Sequence, residues 1–127
     1  MKKEYRLLKN EEFKNVLDAK KSVASKEFVI YRKKNSLNHA RIGISVSSKV
    51  GNSVVRHKIK RQISEMLKTF FDTSVNIDIV IIVRNKFLNN NFFENKVVLE
   101  KLLKQWEGKI NEKNEIISYS FIFYDNC

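Results

Sequence analysis

The chain has 127 residues, a length suited to one domain spanning residues 1–127 around one core, and 25 Lys and Arg against 14 Asp and Glu leave a formal charge of +11. An apolar share of 43% beside 31% charged residues excludes a disordered chain, and no apolar run approaches the roughly 18 residues of a membrane span. The single Cys127 excludes an internal disulfide or a cysteine metal cluster, and Met1-Lys2-Lys3-Glu4 leads into no signal-peptide core, so a reducing cytoplasm is the expected setting.

Phe13, Val16 and Leu17 stand at i, i+3 and i+4 within residues 11–20, which predicts a short amphipathic helix with Asn10 capping its first turn. A short strand around Ser22 to Ser25 and another through Phe28-Val29-Ile30-Tyr31-Arg32 follow from β-branched and aromatic composition. Asn35 to Asn38 supplies a turn. From Ala40 to Ser47, Ile42, Ile44 and Val46 alternate with Arg41, Gly43 and Ser45, the period of a half-buried strand, and Gly43 leaves one face open. Beyond Gly51-Asn52, Val55, Ile59, Ile63, Met66 and Phe70 share one side of a long helix reaching Phe71. Ile77 to Val83 is a continuous apolar run and reads as a central strand. Asn89-Asn90-Asn91 reads as a loop, and Phe92 to Trp106 as a helix with Val98, Leu99, Leu102, Leu103 and Trp106 in its stripe. Ile116 to Tyr124 alternates like a further strand. The expected architecture is an α+β sandwich of αβββαβα order, one central sheet with covering helices, which an extra C-terminal strand could extend.

The charge is unevenly placed. Residues 1–34 carry 11 bases and 5 acids, residues 35–68 carry 7 and 1, and residues 69–127 carry 7 and 8. A polyanion-binding surface built from the first half of the chain accounts for that asymmetry. Its densest part is Lys49-Val50-Gly51-Asn52-Ser53-Val54-Val55-Arg56-His57-Lys58-Ile59-Lys60-Arg61, and between Arg41 and Arg61 stand six bases and no acid. On a helical wheel Val55, Ile59 and Ile63 share one side; His57, Lys58 and Arg61 lie opposite, flanked by Arg56 and Lys60. Arg grips phosphate oxygens bidentately, Lys acts as a mobile point charge, and a helix N-terminus beside Gly51 offers backbone N–H groups to an anion. A solvated charged face after a tight turn has the same composition; the Gly-Asn turn and the missing acids favour RNA or DNA.

A second constellation joins Phe13 and Leu17 on the first helix to Tyr31 on a strand, near Arg32, Lys33 and Lys34. Such aromatics can stack single-stranded bases while cations hold the phosphates, although aromatics on apolar stripes usually pack internally. Catalytic chemistry is poorly represented: His39 and His57 have no cysteine nearby, Asp72 and Asp78 are isolated acids, and Gly51 lies in no G-x-x-x-x-G-K loop. Neither a catalytic residue nor a protein-bound metal is expected.

The run from Lys49 to Arg61 resembles the signature of the bacterial ribonuclease P protein family, roughly K-x-G-N-A-V-x-R-N-x-I-K-R, through Lys49, Gly51, Asn52, Val54, Arg56, Ile59, Lys60 and Arg61. Asn10-Glu11-Glu12-Phe13, Phe28-Val29-Ile30-Tyr31 and Arg41-Ile42-Gly43-Ile44-Ser45-Val46-Ser47 resemble the family's first helix and early strands. The resemblance covers residues 5–106 and leaves 107–127 as a C-terminal extension. It implies a basic cofactor of a ribozyme, in which an RNA subunit using magnesium cuts precursor tRNA and releases the 5′ leader while the protein itself does not cleave. The implied partners are ribonuclease P RNA and the single-stranded leader, with no membrane or DNA partner and a monomeric protein. By position it assigns Lys49, Gly51, Asn52, Arg56, His57, Lys58, Lys60 and Arg61 to the catalytic RNA. It assigns Phe13, Leu17, Tyr31 and Arg41 to a leader cleft separate from the basic helix. It also implies a left-handed strand-helix-strand crossover, against the usual right-handed rule.

The chain departs from the pattern at His57, where the family has Asn, at Lys58, where Arg is common, and at Ser53, where Ala is usual. Leu17 stands where an aromatic is frequent, which turns stacking into plain apolar contact. A structural or ribosomal-type RNA-binding protein fits the charge and size equally well. A DNA-binding helix-turn-helix protein fits less well because the basic helix lies between strands, and a stand-alone nuclease lacks its acid, base and metal groups.

Overall fold

The computed structural model describes residues 3–111. Alternating and continuous apolar runs become the strands β1 (Ser22–Ala24), β2 (Phe28–Lys34), β3 (Arg41–Val46) and β4 (Ile77–Val83); the amphipathic stripes become α1 (Asn10–Asp18), α2 (Ser53–Lys68) and α3 (Phe92–Asn111). The order αβββαβα is the expected one. The strand expected over Ile116 to Tyr124 lies outside the described residues.

The sheet runs β1-β2-β4-β3, antiparallel between β1 and β2 and between β2 and β4, and parallel between β3 and β4, which α2 connects. β4 therefore has a strand on each side and helices over both faces, which explains why its sequence does not alternate. Ile77, Ile79, Ile81 and Val83 meet Phe28, Ile30, Ile42 and Val46 in the main core with α2 and α3. On the opposite face Val80 and Ile82 join Leu7, Phe13, Val16, Leu17 and Tyr31 under α1. Within the main core α2 contributes Ile59, Ile63, Met66 and Leu67, while α3 contributes Leu99, Leu102 and Leu103. β3 is left as an edge strand, touched on its free side by the N-terminal segment through a bridge from Arg6 to Ile42.

Two helix starts differ from a simple reading of the sequence. Asn10 opens α1 instead of capping it: the cap is Lys9, with extended backbone, and the Glu12 carboxylate accepts the N–H groups of Leu8 and Lys9 at 2.9 and 3.1 Å. A carboxylate in the first turn reaches back to the orphan amides, and Asn10 has no such reach from inside the helix. For α3, Asn91 and Glu94 cap reciprocally, Glu94 N–H donating to Asn91 Oδ1 at 2.8 Å and Asn91 N–H to Glu94 Oε1 at 2.9 Å. The neighbouring Asn90 amide donates to Glu27 Oε2 at 3.0 Å and to Asn95 Oδ1 at 3.1 Å, and the buried Asn95 amide donates to the Phe87 carbonyl at 3.0 Å. The asparagine run is thus a polar lock between β2 and α3. Among the described residues no helix is long and apolar enough to cross a membrane.

Candidate nucleic-acid interface

The turn before α2 is built by two residues. Asn52 Oδ1 accepts the Val55 N–H at 3.0 Å and so caps the helix. A Cβ on Gly51 would lie 2.8 Å from Val55 Cγ1 and 2.9 Å from Val55 Cβ, so only glycine fits there. Arg56 folds back, its Nε donating to the Gly51 carbonyl at 3.2 Å, which fixes the turn while the rest of the guanidinium keeps its other donors. With Ile59 and Ile63 buried, His57, Lys58, Lys60 and Arg61 are exposed, as is Lys49 in the preceding loop.

No acid stands in the first turn of α2. Cations there oppose the positive end of the helix dipole, so the local sequence trades helix stability for an anion-attracting end. Among the described residues Lys49, Lys58, Lys60 and Arg61 form no ion pair. Val54, which matches the motif, is 75% exposed beside them and borders a hollow of about 520 Å³ with His57, Lys58 and Arg61. Sequence reasoning left Val54 out of the site; its membership in a basic run while lying off the apolar stripe was the available signal.

Two further hollows flank β3. One, of about 340 Å³, lies beneath α1 between Phe13, Leu17, Ser45, Lys60 and Ile82. The other, of about 650 Å³, runs from Arg6 and Leu7 along the β3 edge to His57, Lys60 and Arg61 of α2. Both include Phe13, Ile44 and Lys60 in their walls, so these three residues border both hollows. Lys60, placed by sequence with the basic helix, thus faces the same space as Phe13 and Leu17. The hollow under α1 therefore has one wall residue from α2.

Gly43 makes the cleft possible. The Phe13 ring lies across it, and a Cβ on Gly43 would sit 2.5 Å from Phe13 Cζ and 3.2 Å from Leu7 Cβ. Tyr31 packs into the same apolar cluster but does not border the hollow under α1. A Gly43→Ala variant is expected to displace the Phe13 ring and to cost about 1–3 kcal/mol of stability. Its expected signature is an affinity for single-stranded nucleic acid reduced as much as in Phe13→Ala, measured by titration with a single-stranded oligonucleotide.

Arg41 sits on the other side of α1. Its Nε and Nη2 donate to Asp78 Oδ1 and Oδ2 at 3.0 and 2.7 Å, and Nη1 donates to Glu12 Oε2 at 3.0 Å. Asn35 adds a bond to Asp78 Oδ1 at 2.7 Å. Asp78 is therefore the buried anchor of an ion network that ties α1 to β3 and β4, and Arg41 is held by carboxylates in a hollow with Lys33 and Lys34 rather than in the groove. The pairing holds the Arg41 guanidinium above its ordinary value, chiefly through the Asp78 hydrogen bonds.

The Lys9 and Leu8 amides, aided by Arg41, hold the Glu12 carboxyl below its ordinary 4.5 despite partial burial. A depressed carboxyl stabilises the fold fully above its unfolded value and loses that contribution as pH falls through the folded one. The stability difference between the parent and Glu12→Gln should thus be complete above pH 4.5 and close below it, as urea midpoints across acid pH would record.

Comparison with known proteins agrees with this architecture. The family model for Ribonuclease P matches residues 1–107. The ribonuclease P protein component of Macrococcus caseolyticus is 41% identical over 109 residues, covering 85% of this chain and 95% of the relative. That of Clostridium botulinum is 39% identical over 122 residues, covering 90% and 98%. Among solved structures, the Staphylococcus aureus RNase P protein superposes with a TM-score of 0.73 at 36% identity, covering 81% of this chain and 95% of that one. The Thermotoga maritima protein gives 0.66 at 28%, covering 76% and 94%. A family match over residues 1–107 and a relative 41% identical over most of its length, with the Lys49–Arg61 motif at the head of α2, place this chain in the ribonuclease P protein component family.

Proposed function

We propose that the chain is the protein cofactor of a ribonuclease P ribozyme, using its groove to hold the single-stranded 5′ leader of precursor tRNA beside the catalytic RNA. The observation that carries the reading is the sharing of Phe13 and Lys60 between the cleft under α1 and the hollow against α2. A leader base packs on Phe13 and Leu17, supported from behind by Tyr31, while Lys60 holds the adjacent phosphate. His57, Lys58 and Arg61, with Lys49 and the exposed Val54, form the outer surface of α2 toward the RNA subunit. Gly51, Asn52 and Arg56 fix the turn that presents it. Arg41 is a positioning residue, setting α1 over the sheet.

The protein contributes binding and orientation: held leader and catalytic RNA become one complex, which lowers the entropic cost of bringing the scissile bond to the active site. Phosphodiester hydrolysis, with its magnesium, belongs to the RNA subunit. Reconstitution tests the reading. At low magnesium, precursor tRNA should lose its leader when protein and a matched ribonuclease P RNA are both present and remain intact with protein alone. Cleavage by protein alone, or no stimulation of the RNA, would contradict it; the latter would leave a structural RNA-binding protein.

A further inference from the structure

We infer that the free edge of β3 reads a nucleobase of the bound strand through main-chain groups, the N–H and C=O of Ile44 with Val46 next in line. The inference rests on the reading of the groove as a single-stranded RNA site and adds a contact of a different kind to it.

β3 has β4 on one side. On the other, the Leu7 N–H donates to the Ile42 carbonyl at 3.0 Å. Peptide groups of alternate residues point to the same side of a strand, so those of Ile44 and Val46 point the way Ile42's does, away from β4. Among the described residues no main-chain or side-chain group bonds to them there. Ile44 is half-buried, and main-chain donors and acceptors in that position require water or a ligand. Its side chain turns with Ile42 and Val46 toward the main core, yet the residue borders the hollow under α1 on the opposite face.

The chemistry of those groups selects the occupant. One residue offers a donor and an acceptor side by side. A phosphate oxygen can satisfy the donor but leaves the carbonyl unpartnered. A nucleobase edge with neighbouring acceptor and donor satisfies both. Phe13 lies on one side of this stretch to take the face of the base, and Lys60 on the other to take the phosphate. A peptide strand could also pair with an open edge. The cations Arg6, Lys60 and Arg61 around the groove favour a polyanion instead.

The test is amide hydrogen exchange on the full chain, with and without a single-stranded leader oligonucleotide. The Ile44 amide should exchange freely in the protein alone and slow at least severalfold when the oligonucleotide binds, while the Gly43 and Ser45 amides, directed at β4, stay unchanged. In parallel, Ile44→Pro removes the donor on an edge strand, where proline is tolerated. It should weaken oligonucleotide binding about fivefold, the scale of one hydrogen bond, with an unchanged salt slope. If that variant fails to fold by circular dichroism, the exchange measurement on the parent chain decides alone. A reduced salt slope would mean a phosphate contact and overturn the inference. Unaltered Ile44 exchange in a saturated complex would overturn it too, leaving the groove reading intact. Protection of Ile44 that grows with protein concentration and no RNA would mean strand pairing between copies and overturn it. No binding of any leader oligonucleotide would overturn both readings.

Discussion

An Arg41→Met variant is expected to be about 3 kcal/mol less stable than the parent, because removing one partner of a buried ion pair leaves the other charge uncompensated. Asp78 is the group left behind: its side chain is 8% exposed, and of its hydrogen bonds only the one from Asn35 survives. Glu12 loses an ion pair at the same time, and with it one tie between α1 and the sheet. Arg41→Met combined with Asp78→Leu should recover most of the loss, since a well-packed apolar pair of similar volume replaces a buried ion pair at little cost. Urea unfolding at neutral pH measures both. A single-variant loss below about 1 kcal/mol would mean that the network behaves as an exposed surface pair and that Arg41 is available for RNA.

The largest functional effects are expected at Phe13 and Lys60. Stacking of a base on an aromatic ring is worth about 1–3 kcal/mol, so Phe13→Ala should weaken precursor tRNA binding by the holoenzyme about tenfold while leaving mature tRNA nearly untouched. If Lys60 holds a phosphate as proposed, Lys60→Ala should lower affinity while reducing the salt slope by about 0.7, the single-strand value per phosphate. Because Lys60 borders both hollows, its loss should also diminish the preference for precursor. A cation serving only the catalytic RNA would leave that preference unchanged.

The fold was largely legible because local pattern and tertiary context agree in it. The stripe Ile59, Ile63, Met66 on α2 and the apolar run Ile79 to Val83 each have one reading, and the structure buries nearly all of these residues. What the sequence did not disclose is long-range. Asp78 in an apolar run marks a buried partner, but the partner is Arg41, 37 residues earlier, and no local rule joins them. The acid that stands isolated in the sequence is the counter-ion of Arg41. Likewise Gly43 signalled an open face, while the identity of the ring that fills it, Phe13, depends on how α1 crosses the sheet. The Asn89–Asn91 loop hid a helix cap and a buried amide lock, because asparagine in a loop is ordinarily only a turn former. For the candidate site, the charge pattern pointed to α2, and the apolar spacing pointed to Phe13 and Leu17. Their meeting at Lys60 follows from β3 being an edge strand, a fact of sheet order.

Phe13 of α1 and Lys60 of α2 line the same hollow, which would make one binding surface of the two helices. A double-mutant cycle of Phe13→Ala and Lys60→Ala, read as holoenzyme affinity for precursor over mature tRNA, tests it most directly. Residues acting on the same bound segment couple, whereas independent sites add. The account predicts that each variant alone erodes the precursor preference and that the double variant loses clearly less than the sum of the two. Strict additivity, with Lys60→Ala weakening precursor and mature tRNA equally, would contradict it.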